Sequence, residues 1–112
     1  MCTSDTLADE ALRVRISEIL WTDADVAHIA RHGISPDEVE EVLVAWPVWR
    51  RGRRHPQTGR TSLYALGQTE GDRYLFVVLS PLGKRRARCV TAMAMDAKAR
   101  RYYERHRTHR TP

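Results

Sequence analysis

Cysteine is nearly absent from this chain: two in 112 residues, Cys2 and Cys89, far apart in the sequence. That argues against a disulfide framework and against a paired-cysteine zinc site, and it fits a reducing cytoplasm. Phenylalanine occurs once, and no apolar run approaches the ~18 residues of a membrane-spanning helix. The opening Met-Cys-Thr-Ser-Asp-Thr-Leu-Ala-Asp-Glu has neither the basic start nor the apolar stretch of a secretion signal. A cytoplasmic protein with no membrane partner is therefore expected. No Gly-rich phosphate loop and no Ser-His-Asp set stands out. His28 and His32 lie at i, i+4, a spacing two metal ligands can share. No Glu follows the first His and no Cys lies nearby, so a structural role at a helix end is expected, with no metal or cofactor.

Acidic residues are scarce in the second half. Residues 1–49 hold three Lys/Arg and ten Asp/Glu, a net of −7, whereas residues 50–112 hold sixteen and four, a net of +12. The overall +5 thus hides a directional field whose basic half suits a polyanion, RNA or DNA by default. The competing reading is an arginine-rich solvated surface.

The length fits one domain with one modest core. Residues 1–11 read as a flexible tail, 12–107 as the domain and 108–112 as a frayed end. Leu12, Val14 and Ile16 alternate with polar residues as in an edge strand that Ile19-Leu20-Trp21 could extend. Thr22-Asp23 caps a helix ending at Gly33, with Val26, Ile29 and Ala30 as its apolar face. Ser35-Pro36-Asp37-Glu38 has the form of a capping box. Val39, Val42, Leu43 and Trp46 follow on one helical face until Pro47.

Four strands then succeed one another: from Val48, Thr61–Gly67, Tyr74–Leu79 and Arg86–Ala94. Their short connections require antiparallel neighbours. Ser80-Pro81-Leu82-Gly83 reads as the last turn, and Asp96 opens a basic closing helix from Ala97 to about His106. The expectation is an α+β domain. It has two N-terminal helices, a C-terminal helix and an antiparallel sheet of four strands, open to a fifth or sixth.

On the last strand, period two sets Arg86, Arg88 and Val90 against a packing face of Ala87, Cys89, Thr91 and Met93. Two guanidiniums on one face can clamp a phosphate, or can be solvated on an open sheet. Arg50, Arg51, Arg53 and Arg54 form a second basic cluster with His55, and Arg60 lies just beyond the loop. His55, with an ordinary pKa near ~6.5, is either an acid–base group or a solvated loop histidine. Lys84, Arg85 and Arg101 extend the positive surface. Tyr64, Tyr102 and Tyr103 could stack on bases or belong to the core.

Trp21-Thr22-Asp23, Arg31-His32-Gly33-Ile34-Ser35, Glu38 and Val42-Leu43 together resemble the opening of the BrnT-like toxins. Gly67-Gln68-Thr69 with Gly71 and Arg73-Tyr74-Leu75-Phe76-Val77-Val78 is similar to that family's central hairpin. Arg86-Ala87-Arg88-Cys89-Val90-Thr91-Ala92 resembles its Arg-x-Arg strand, and Arg101-Tyr102-Tyr103 its closing helix. The resemblance spans about residues 18–105. It implies a RelE-like fold and a type II toxin, a metal-independent endoribonuclease that inhibits translation. It also implies a ribbon-helix-helix antitoxin as partner, with a homodimer or a toxin–antitoxin hetero-oligomer as the assembly. The catalytic candidates are then Arg88, Arg86, Arg60 and His55. Arg51, Arg53, Arg54, Lys84, Arg85, Tyr64 and Arg101 are the RNA-binding ones. The chain departs from the family pattern at Met93, Ala94 and Ala99, where charged side chains are usual. Those departures motivate the alternative of a non-catalytic protein that binds nucleic acid or a partner.

Overall fold

A computed structural model of the chain describes residues 16–57 and 59–107. The two predicted tails and the alternating Leu12 and Val14 lie outside the described residues. The chain order is β1 (Glu18–Ile19), α1 (Asp23–Ala30), α2 (Pro36–Val44), β2 (Val48–Arg54), β3 (Thr61–Gln68), β4 (Tyr74–Gly83), β5 (Arg86–Ala94) and α3 (Ala97–His106). The class is α+β, with three helices and one five-stranded sheet among the described residues. No helix among them is long and apolar enough to cross a membrane.

Local chemistry sets the helix starts. Thr22 accepts from the amide of Asp25, and Asp96 from that of Ala99. Ser35 and Glu38 form the reciprocal capping box, with Pro36 in the first turn where a missing N–H is harmless. Gly33, at φ 73°, turns the chain out of α1. Two predicted core positions fail. Ala30 is exposed while Asp25 is buried on α1. The second helix stops at Val44, two residues before Trp46. Trp46 sits at φ 58° and is 54% exposed, and Trp49 takes the core place instead.

The sheet order is β1-β5-β4-β3-β2. The last four strands form antiparallel neighbours, as their short connections demand. β1, however, pairs in parallel with β5, so the sheet is mixed rather than wholly antiparallel. The reason is topological: between β1 and β5 the chain crosses through two helices and three strands, so no tight turn constrains their direction.

A bulge corrects the reading of β5. Val78 pairs with Thr91 but Leu79 pairs with Cys89, leaving Val90 unmatched. Strict alternation therefore breaks at Val90. Ala87, Cys89 and Ala92 are fully buried, whereas Thr91 and Met93 turn to the opposite face beside Val78 and Phe76. The predicted turn at residues 80–83 also moves. β4 continues through Gly83, and Lys84-Arg85 closes the hairpin at φ 55° and 67°. Two consecutive positive φ values match the two-residue hairpin turn that Asn-Gly favours, and each non-glycine residue there costs about 1 kcal/mol or more.

One sheet face is sealed. Ile29, Ile34, Val39 and Val42 of the α1–α2 layer pack on Trp49, Leu63, Ala65, Leu75, Val77, Leu79, Ala87, Cys89 and Ala92. On the other face α3 places Tyr103 against Val48 and Leu66, with Tyr64, Tyr74, Phe76, Ala99 and Tyr102 around them. A ten-residue helix is about 15 Å long, while a ten-residue strand is about 33 Å long. α3 can therefore cover only about half of this face.

A Cβ on Gly52 would lie 2.5 Å from the Tyr64 ring. Tyr64 is itself tilted against Phe76, with ring centroids 4.8 Å apart. Gly52→Ala is therefore expected to destabilise the domain by about 1–2 kcal/mol. Thermal melts should show most of that loss vanishing in a Tyr64→Ala background. A Gly52→Ala variant as stable as the parent would remove the close approach.

Candidate nucleic-acid interface

The open half of the α3 face is built by register. Arg50 pairs with Tyr64, Tyr64 with Val78, and Val78 with Thr91, a row across four strands on one face. The next row holds Ser80 opposite Arg88. The α3 border is aromatic and basic. The Arg50 guanidinium lies 4.5 Å from the Tyr102 ring centre, and Tyr102 stacks on His106 at 4.0 Å. Arg100 covers Tyr74 at 3.8 Å. Arginine beside half-buried tyrosine is a surface on which bases can stack and phosphates can pair.

Arg88 is fixed at the β5 edge. Its Nε donates to Asp25 Oδ2 at 3.0 Å, and its Nη2 donates to Oδ1 at 2.8 Å. This is a bidentate, charge-assisted pair. The Asp25 side chain is only 7% exposed, whereas that of Arg88 is 46% exposed. The arginine thus keeps donors toward solvent, because two of its five N–H groups face the carboxylate. The hydrogen bonds from Arg88, and secondarily one with Thr22, hold the Asp25 carboxyl below its ordinary 3.8 against the opposing effect of burial. One helical turn on, His28 Nε2 lies 3.1 Å from Thr91 Oγ1, so α1 clasps the β5 edge at two points. His28 also packs edge-on to His32, with centroids 5.6 Å apart. Among the described residues no cluster of three His, Cys, Asp or Glu side chains is placed to hold a metal ion.

The other predicted residues separate into groups. Arg51, Lys84, Arg85 and Arg86 come together around a cavity of about 290 Å³ at the β4–β5 hairpin. Arg60 does not line it, but its Nη1 donates at 3.1 Å to the carbonyl of Pro81, which does. Arg86 does not share Arg88's partner: its Nε donates to Glu18 Oε1 at 3.2 Å. Arg54 Nε donates to the Gly59 carbonyl at 3.0 Å, and His55 Nδ1 accepts from the Gln57 amide at 3.2 Å. Both side chains thus help close the β2–β3 loop. Arg53 is exposed on β2, and Arg101 lies on the outer side of α3 near Arg100, Glu104 and Arg105. Tyr64 joins the sheet face and Tyr103 the core. Cys89 is fully buried, and burial followed by the Asp25 charge pushes its thiol up to about 12, so it is no nucleophile at neutral pH.

Sequence reasoning missed Asp25 and His28. Asp25 reads as an ordinary acid in a helix first turn, and its partner stands 63 residues away. His28 reads as half of an i, i+4 pair, and only tertiary packing brings it to Thr91. No protein-family model matches the chain, and no curated protein matches it.

Removing one partner of the pair is asymmetric. Arg88→Ala leaves a buried carboxylate unpaired and should cost about 1–3 kcal/mol, whereas Asp25→Asn should cost less. The depressed Asp25 pKa stabilises the fold above the ordinary carboxylate value, and that share is lost as pH falls through the folded-state value. Urea midpoints measured from pH 7 to pH 2 should therefore show a shallower acid decline for Asp25→Asn. Parallel profiles for parent and variant would contradict the pair's contribution.

Proposed function

We propose that this protein is the toxin of a type II toxin–antitoxin pair, an endoribonuclease on a RelE-like scaffold that inhibits translation. Its RNA site is the open half of the α3 face, and its partner is a small ribbon-helix-helix antitoxin. The observation that carries this reading is Arg88: held by a buried carboxylate, half-exposed, and beside the Arg50–Tyr64–Val78–Thr91 row. The residue resemblance to BrnT-like toxins supports it from the sequence side.

RNA brings its own nucleophile, the 2′-hydroxyl. Cleavage requires in-line alignment, removal of that proton, stabilisation of the pentacoordinate phosphate and protonation of the departing 5′-oxygen. The outward N–H groups of Arg88 neutralise the developing charge, and Asp25 is a positioning residue that fixes the plane of the guanidinium. His28, at the same edge, replaces His55 as the acid–base group, because the His55 ring helps shape its own loop. Tyr64 and Tyr102 supply stacking surface, and Arg50 pairs with the backbone.

A second reading has its own support. Asp25 occupies one edge of Arg88. Ala99 packs with Tyr103 and Leu66, and Met93 pairs with Phe76, where the family pattern carries charge. A protein that binds RNA without cutting it follows from those features.

Purified protein incubated with single-stranded RNA in EDTA separates the two. The toxin reading expects fragments with 2′,3′-cyclic phosphate ends and no cutting of 2′-O-methyl RNA. Arg88→Lys should lower the rate at least tenfold, and His28→Gln should lower it about a hundredfold or more. Salt-sensitive binding with no fragments would establish the non-catalytic reading instead.

A further inference from the structure

We propose that the cavity at the β4–β5 hairpin is a separate binding site for a nucleotide-sized phosphate monoester. It holds Arg51, Lys84, Arg85 and Arg86 around about 290 Å³, at the lower end of small-ligand pockets. Among the described residues no carboxylate lines it, while Leu63 and Pro81 give it an apolar wall. Glu18 pairs with Arg86 from outside the lining, and the like charges of Arg51, Lys84 and Arg85 gathered around one concavity favour a bound anion. Guanidinium forks match phosphate oxygens, and an ammonium adds a point charge. The apolar wall gives the sugar or base of a nucleotide a surface that inorganic phosphate cannot use.

Backbone geometry points the same way. Lys84 and Arg85 occupy a turn with φ 55° and 67°, where Asn-Gly would be unstrained. The chain instead places two long cations in the left-handed region, and both line the cavity. Strain held in this way marks a position where the side chains matter more than the turn. The Pro81 carbonyl accepts from Arg60 at 3.1 Å, which offsets its repulsion of an anion. Glu18 accepts from Arg86 Nε, leaving that guanidinium further donors. Arg88 does not line the cavity, so this site stands independently of the cleavage reading.

The test uses the whole chain and titration calorimetry with adenosine 5′-monophosphate, inorganic phosphate and adenosine. The expected order is saturable binding of the monophosphate, weaker binding of phosphate and none of adenosine. The double variant Lys84→Asn, Arg85→Gly removes both cations while installing the favoured turn. It should keep or raise the thermal midpoint, by about 5–10 °C if all the strain is relieved, and lose at least tenfold in monophosphate affinity. The proposal is overturned if the variant binds the monophosphate as tightly as the parent. It is equally overturned if adenosine competes as well as its monophosphate, if phosphate alone binds as tightly, or if the parent shows no saturable binding.

Discussion

The Asp25–Arg88 pair is the contact on which the architecture of the open face depends. β5 is paired along one side by β4, but among the described residues β1 covers its other side only at Arg86 and Ala87. Beyond Ala87 the strand would present a free edge, the feature that soluble sheets must guard. α1 supplies the guard through Asp25 to Arg88 and His28 to Thr91. A buried carboxylate is tolerable only with such a partner. Stability and the aim of the guanidinium are therefore the same interaction seen from two sides.

The charge split along the chain has a related logic. Three acids of the first half each meet an arginine of the second: Glu18 with Arg86, Asp25 with Arg88, and Glu38 with Arg73. Part of the −7 and +12 polarity is consumed in joining the N-terminal layer to the sheet. The two more exposed pairs, Glu18–Arg86 and Glu38–Arg73, contribute little to stability individually, whereas Asp25–Arg88 holds a buried carboxylate. What remains concentrates at the hairpin cavity, on β2 and along α3, where Arg100 and Arg107 also cover tyrosine rings. The positively charged surface is thus narrower and more patterned than the composition implies.

Local features of the fold are legible in the sequence, and long-range ones are not. The capping box at Ser35 and Glu38, the Asp96 cap and the four antiparallel strands follow from spacing alone. Neighbouring residues decide them. The bulge at Val90 has no such signature, because Val, Thr, Ala and Met suit either sheet face. Trp46 and Trp49 are interchangeable as sequence symbols, and only the end of α2 at Val44 decides which is buried. The arginines were visible as a population, yet their division between a held Arg88, a loop-closing Arg54 and a cavity group around Lys84 depends on contacts across the fold.

The central claim is that RNA meets the open α3 face through Arg88 and its row. Arginine side-chain Nε–H NMR spectra of the whole chain, titrated with a 2′-O-methyl RNA oligonucleotide that cannot be cut, test it most directly. The account predicts saturable, salt-sensitive shifts for Arg50 and Arg88, with Arg73, tied to Glu38 and Gly33, unmoved. Shifts confined to arginines away from that face, or none at low salt, would contradict it.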